Sequence, residues 1–185
     1  MSTLQVENLI GPTSGSNANK VIIPSGQTLD ASNGFVAPAG SVIQTRTGIF
    51  TSVVNTQSSS WTSLITAYIT PQYATSNILI MVAIGGLYMN THSASNQSHW
   101  RMARTPSGGS TVGVTGQNSH FHTEMGRNET DSGTRANVNM NIIDSPATTS
   151  TIGYSVQTML FTGSGGLQIN DTSGTSTIIL QEIAQ

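Results

Sequence analysis

No cysteine occurs in the 185 residues, so neither a disulfide framework nor a thiolate metal site can form, and the fold is held by burial alone or by association between chains. Charge is nearly as scarce. Only 8% of the residues are charged, against about 25% in ordinary soluble domains, and Lys20 is the sole lysine. The six basic residues are scattered along the whole chain and the formal net charge is −2. No basic stripe exists to neutralise a run of phosphates, so no nucleic acid partner is expected. The longest apolar run, residues 78–84, is far too short to span a bilayer, and residues 1–9 lack the basic start and long apolar stretch of a signal peptide. A soluble protein made in the cytosol, without membrane insertion, is expected. No Gly-x-Ser-x-Gly elbow occurs, and Lys20 lacks the preceding glycine of a phosphate-binding loop. No catalytic residue and no cofactor is assigned, and the chain reads as a non-enzyme.

What is present is strand patterning, with serine, threonine, asparagine and glutamine standing where most proteins carry charge. From Ser41 onward period-two alternation dominates and helical periodicity is absent. Trp61, Ile65 and Ile69 fall on one face of a strand with Ser63 and Ala67, and Leu64 and Tyr68 fall opposite. Residues 78–88 are apolar on both faces, with Ile78, Ile80, Val82 and Ile84 on one and Leu79, Met81 and Ala83 on the other, which predicts a central strand covered on both sides. Further strands are predicted at 100–104, 111–115, 121–125, 136–143, 154–161, 167–169 and 177–183. Turn clusters such as Thr105-Pro106-Ser107-Gly108-Gly109 and Gly163-Ser164-Gly165-Gly166 separate them. Short strands at this spacing predict an all-β fold, an antiparallel β-sandwich of jelly-roll type.

Residues 1–40 differ in character. Two short apolar segments, 4–10 and 21–23, flank the run 11–17 of glycine, proline, serine and asparagine, and so few apolar side chains cannot repay the entropy of ordering about forty residues. Asn33-Gly34 and Pro38-Ala39-Gly40 are turn signals. An extended N-terminal arm over 1–40 and a sandwich knob over 41–185 are expected. Asn137, Asn139 and Asn141 line one face of a single strand. In one chain this is a solvated face, whereas in an oligomer the same amides can bond across to a neighbour without desolvating ions. The arm and the neutral faces together predict a homotrimer.

Three blocks, residues 39–44, 69–80 and 176–184, together with Asp144-Ser145-Pro146, resemble virion appendage proteins of tailed bacteriophages, especially marine ones. The resemblance implies a trimeric fibre or capsid-decorating protein, made in the host bacterial cytoplasm and located in the virion. Its arm, with Leu4, Val6, Leu9 and Ile10 as the attachment residues, would hold other virion proteins. The region 90–135 shows least similarity, and there an alternative role, recognition of a host surface glycan, has to be argued from residues. Trp100 flanked by Arg101 and Arg104, with Arg127 further on, forms the candidate receptor contact, although large aromatics more often fill cores. His120 and His122 are spaced to share one strand face. Two imidazoles from one chain leave a coordination shell incomplete without symmetry, so no metal is assigned, and the pair is a candidate only if a trimer axis gathers three copies. Glu124, Glu129 and Asp131 share a glycine-bounded loop, which suits a solvated surface better than the rigid carboxylate pair that glycoside hydrolysis needs.

Overall fold

A computed structural model describes residues 10–18, 20–27, 37–90, 97–114, 121–124, 134–162, 166–171 and 174–185. The chain divides into two units, Met1–Val36 and Ala37–Gln185. In the first, the described residues form turns: the N–H of Ala18 donates to the Gly15 carbonyl at 3.1 Å, and that of Gln27 to Pro24 at 3.1 Å. Ile10, Val21, Ile22 and Ile23 are exposed there. Leu4, Val6 and Leu9, and the Asn33-Gly34 turn, lie outside the described residues.

The second unit carries eleven strands among the described residues: β1 (Val42–Phe50), β2 (Val54–Thr56), β3 (Thr62–Ile69), β4 (Asn77–Asn90), β5 (Gln97–Pro106), β6 (Val112–Gly113), β7 (Phe121–Glu124), β8 (Thr134–Asp144), β9 (Ile152–Thr162), β10 (Gly166–Ile169) and β11 (Ser176–Ile183). In the first sheet β8 pairs along one edge of β4. Along the other edge β11 and β10 pair end to end, and beyond them β1 pairs with β11 and β2 with β10. Thus β1/β2 and β10/β11 each act as one interrupted strand, giving four antiparallel strands. The second sheet runs β3, β9, β5, with β6 and β7 end to end on the far edge of β5. Two four-stranded antiparallel sheets, with successive strands distributed between them in this order, form a jelly roll.

One apolar core fills the space between the sheets. Ile78, Ile80, Val82 and Ile84 of β4 join Ile178 and Leu180 of β11, and Trp100, Met102, Tyr154 and Val156 of β5 and β9 meet them. One departure from strict alternation matters. The β3–β9 register shifts between Ser63 and Ile65. This bulge leaves Ser63 on the outer face while Ile65, Ala67 and Ile69 stay in the core, so the expectation that Ser63 shares the Ile65 face is corrected: a bulge inserts one residue and inverts the parity before it. The expectation that β4 is covered on both sides is corrected too. Its inner face is buried, but Leu79 and Met81 are only half-buried and Ala83 is exposed, because among the described residues of the second unit no layer lies outside the first sheet.

The interruption of β10/β11 is itself ordered. Opposite it, β4 bulges at Gly85-Gly86, so that Ile84 and Leu87 both face inward. Asn170 adopts φ 59°, and its side-chain amide donates to the carbonyls of Phe50 and Ser52 at 3.0 and 3.1 Å. The Ser176 hydroxyl donates to Asn170 Oδ1 at 2.7 Å and accepts from the Gly85 N–H at 3.3 Å. Gly86 has φ 59°, and a Cβ there would stand 2.9 Å from the Asp171 carbonyl oxygen, so only glycine fits.

Ile80 is fully buried, and Ile80→Ala is expected to lower stability by about 2–5 kcal/mol through the cavity it leaves. Thr149→Ala, in an exposed loop, is expected to stay within about 0.5 kcal/mol. Chemical denaturation of both variants checks the difference.

Candidate functional site

The structure scatters the residues that the sequence singles out. Trp100 is fully buried, its indole N–H donating to the Ser98 hydroxyl at 3.0 Å, so it fills the core and offers no platform to a ligand. Arg104 points the same way along β5, to the end of the sandwich, where its guanidinium meets Asp144 at 2.9 Å. Arg101, on the opposite face of β5, lies 4.4 Å above the Trp61 ring and donates through Nε to Gln157 Oε1 at 2.7 Å. Arg127, His120, Glu129 and Asp131 lie outside the described residues. His122 and Glu124 belong to β7, whose register sets His122 opposite His99. Among the described residues no group of three histidine or carboxylate side chains is placed to hold a metal ion.

A row of inward-facing residues across the first sheet carries chemistry that no sequence motif announces. Ile78 on β4 is flanked by Asp144 on β8 and Glu182 on β11, and all three are fully buried. Asp144 accepts two hydrogen bonds from Arg104, both at 2.9 Å, and one from the Tyr154 hydroxyl at 2.7 Å. Both donors come from the second sheet, so this carboxylate ties the layers together. Burial first, and then the adjacent carboxylate, push the Tyr154 phenol far above its ordinary value and keep it a donor. Glu182 accepts from the Gln44 amide at 2.6 Å and from the backbone N–H groups of Gln72 and Tyr73 at 2.7 and 3.2 Å. Burial pushes its carboxyl up, but these donors outweigh burial and hold it below the ordinary 4.5. Their partners fix both fully buried carboxylates as structural anchors.

The outer faces are where other molecules can be met. On the first sheet the face comprises Thr45, Thr47 and Ile49 of β1, Thr177 and Ile179 of β11, Leu79, Met81 and Ala83 of β4, and Asn137, Asn139, Asn141 and Ile143 of β8. Ile49 and Ile143 are 67% and 64% exposed. A shallow groove crosses it, lined by Met81, Ala83, Asn139, Asn141, Thr177 and Ile179. Among these residues none is charged. The outer face of the second sheet is different. One half carries the ladder Trp61, Arg101, Gln157 and Ser63, in which Gln157 Nε2 donates to Ser63 Oγ at 3.0 Å. The other half opens into a pocket of about 320 Å³ beside the exposed ring of Tyr68.

No protein-family model matches the chain, and no curated protein matches it. Similar solved structures include the infectious bursal disease virus VP2 subviral particle, at 14% identity over 94% of this chain and 46% of that one, with a TM-score of 0.41. The T=1 particles derived from the same virus match at 14% identity over 94% and 44%, with a TM-score of 0.41. The Gx strain of that virus matches at 17% identity over 86% and 42%, with a TM-score of 0.39. The chain spans less than half the length of those proteins. The fold assignment rests on the strand pairing itself.

A carboxylate whose folded pKa lies below its unfolded value contributes stability above the unfolded value and loses it as pH falls through the folded one. For Glu182 that loss begins near pH 4.5 and proceeds downward. Glu182→Gln is therefore expected to cost about 1–3 kcal/mol at pH 7 and to flatten the decline in stability below pH 4.5. Denaturation midpoints measured between neutral and strongly acidic pH check both.

Proposed function

We propose that this chain is a non-enzymatic structural protein of a virion, similar to the appendage proteins of tailed bacteriophages, in which three copies associate through the outer face of the first sheet. The N-terminal segment, with Leu4, Val6, Leu9 and Ile10, attaches the assembly to other virion proteins as a fibre or a capsid decoration. The host bacterial cytoplasm is where it is made.

The observation that carries this reading is the outward second face of β4, which the described residues leave partly exposed. Leu79 and Met81, with Ile179 beside them, form the centre of a surface that is apolar in its middle and lined by asparagine amides at its β8 side. Burying such a face against a second copy removes apolar area from water at about 25 cal/mol per Å² and desolvates no ion. The exposed amides of Asn139 and Asn141 supply both donors and acceptors to a neighbour, and Asn137, whose Oδ1 accepts the Gly86 N–H at 3.3 Å, adds amide hydrogens. Exposure of Ile10 supports the attachment role of the N-terminal segment, since an apolar side chain left in water is available to a partner.

Sedimentation of the full chain at micromolar concentration is expected to give three times the monomer mass. Met81 and Ile179 are cross-strand partners, so Met81→Lys with Ile179→Lys places two ammonium groups at the middle of the face and is expected to yield a monomer with an unchanged far-UV spectrum. A wild-type monomer overturns the assembly, and a double variant that stays trimeric overturns the choice of face.

A second expectation concerns attachment. Gly40 donates to the Ala184 carbonyl at 2.8 Å, so the segment to remove is Met1–Val36. The truncated protein is expected to fold and associate as before but to lose binding to virions lacking the appendage, assayed by co-sedimentation.

A further inference from the structure

We infer that the pocket on the outer face of the second sheet is a binding site for a neutral saccharide, stacked on Tyr68. Tyr68 on β3 is 64% exposed, which is unusual for an aromatic ring at a strand interior. Its cross-strand partner is Gly153 on β9, and a Cβ at Gly153 would stand 2.9 Å from Cε1 and 3.3 Å from Cδ1 of the ring. Gly153 has no positive φ, so the conformation does not require glycine. The space does: the Tyr68 ring lies against the bare backbone of β9. Glycine weakens a strand interior and marks a place where something approaches the backbone closely. Here it seats one side of the ring and leaves the other to solvent, held in place before any ligand arrives.

Hydroxyl groups surround this platform. Thr66, Thr105, Ser107, Thr151 and Ser155 line the pocket, and apart from the phenol itself no lining residue is ionisable. The walls are tied. The N–H of Ser107 donates to the Thr151 carbonyl at 3.0 Å and that of Gly109 to Pro106 at 2.9 Å. Thr151 and Thr70 share a hydroxyl contact of 2.7 Å, and Thr105 and Thr111 one of 2.8 Å. Each serine or threonine hydroxyl both donates and accepts, with a hydrogen that rotates to suit, which is the pattern a sugar hydroxyl presents in return. The apolar face of a pyranose ring matches the apolar face of Tyr68. An anionic ligand finds no counter-charge here. A proline-rich peptide needs an aromatic-lined groove, and this pocket offers a single ring. The volume of about 320 Å³ lies at the lower end of small-molecule sites, about 300–1,000 Å³, and suits a short stretch of saccharide. The pocket and the proposed association face lie on opposite sheets, so this inference stands independently of the trimer.

The test uses the full chain on an array of neutral gluco-, galacto-, manno- and N-acetylglucosamine oligosaccharides, followed by titration calorimetry with the best binder. Saturable binding of at least one is expected, with Tyr68→Phe within about threefold of wild type and Tyr68→Ala weaker by about tenfold or more. Gly153→Ala, whose new methyl displaces the ring, is expected to weaken binding by about fivefold or more at an unchanged oligomeric state. If Tyr68→Ala does not fold, Gly153→Ala decides. Absence of binding at about 10 mM, binding restricted to sialylated or sulfated glycans, or affinity unchanged in Gly153→Ala overturns the site.

Discussion

The buried carboxylate of Asp144 is the interaction on which the sandwich depends. It stands at the end of β8 in one sheet and takes its hydrogen bonds from Arg104 and Tyr154 in the other. A buried ion pair contributes little net stability compared with well-packed apolar groups, yet removing one partner costs about 3–5 kcal/mol, because the other is left uncompensated. What the pair fixes is register. A slip of β8 by one residue would turn Asp144 to the outer face, strand Arg104 and Tyr154, and bring Asn141 and Ile143 inward, since side chains alternate strictly along a strand. Glu182, two strands away in the same row, imposes the same constraint on β11 through Gln44 and the backbone of the β3–β4 turn. In a chain without disulfides these two anchors set how the layers align, and the apolar core supplies the energy.

That arrangement inverts the usual distribution of charge. Of the few ionised groups in this chain, two carboxylates and part of one guanidinium are withdrawn from water, and the described outer-face residues of the first sheet named above are neutral. A neutral face cannot steer partners at long range or reject them by like charge. It is suited to contacts formed by mass action among many identical copies, where shape and amide pairing set the geometry. The second sheet is different because Arg101, half-buried on its outer face, is already engaged with Trp61 and Gln157.

Much of the fold is legible in the sequence, because burial on one side of a sheet imposes period-two alternation. The inner residues of β4, β9 and β11 lie where their period-two pattern puts them. Three features were not legible, each for a physical reason. The first is β1, an edge strand whose Thr45, Arg46 and Thr47 are exposed, so that little apolar patterning marks it. The bulge between Ser63 and Ile65 carries no glycine, and parity counted through it places Ser63 on the wrong face. Nor does anything adjacent to Asp144 in sequence distinguish it from a loop aspartate, since its partners lie 40 and 10 residues away. The candidate site suffered most from this, as its residues come from three segments that only folding brings together. Trp100 stands out in the sequence by size and by its basic neighbours but is core, whereas Tyr68 stands out only once Gly153 is seen beneath it.

The two exposed faces follow from a single geometric fact. Stacked sheets lie about 10 Å apart, so a jelly roll presents two broad surfaces that point away from each other, and a side chain on one cannot reach a molecule docked on the other. Association through the first sheet would leave the Tyr68 pocket open in every copy, at a spacing fixed by the assembly. Weak single-site affinity then becomes avidity, because the second and third contacts are made at the high effective concentration set by that spacing. A small, neutral, hydroxyl-lined site gains more from this arrangement than a strongly charged one, since it has no long-range attraction of its own with which to hold a ligand.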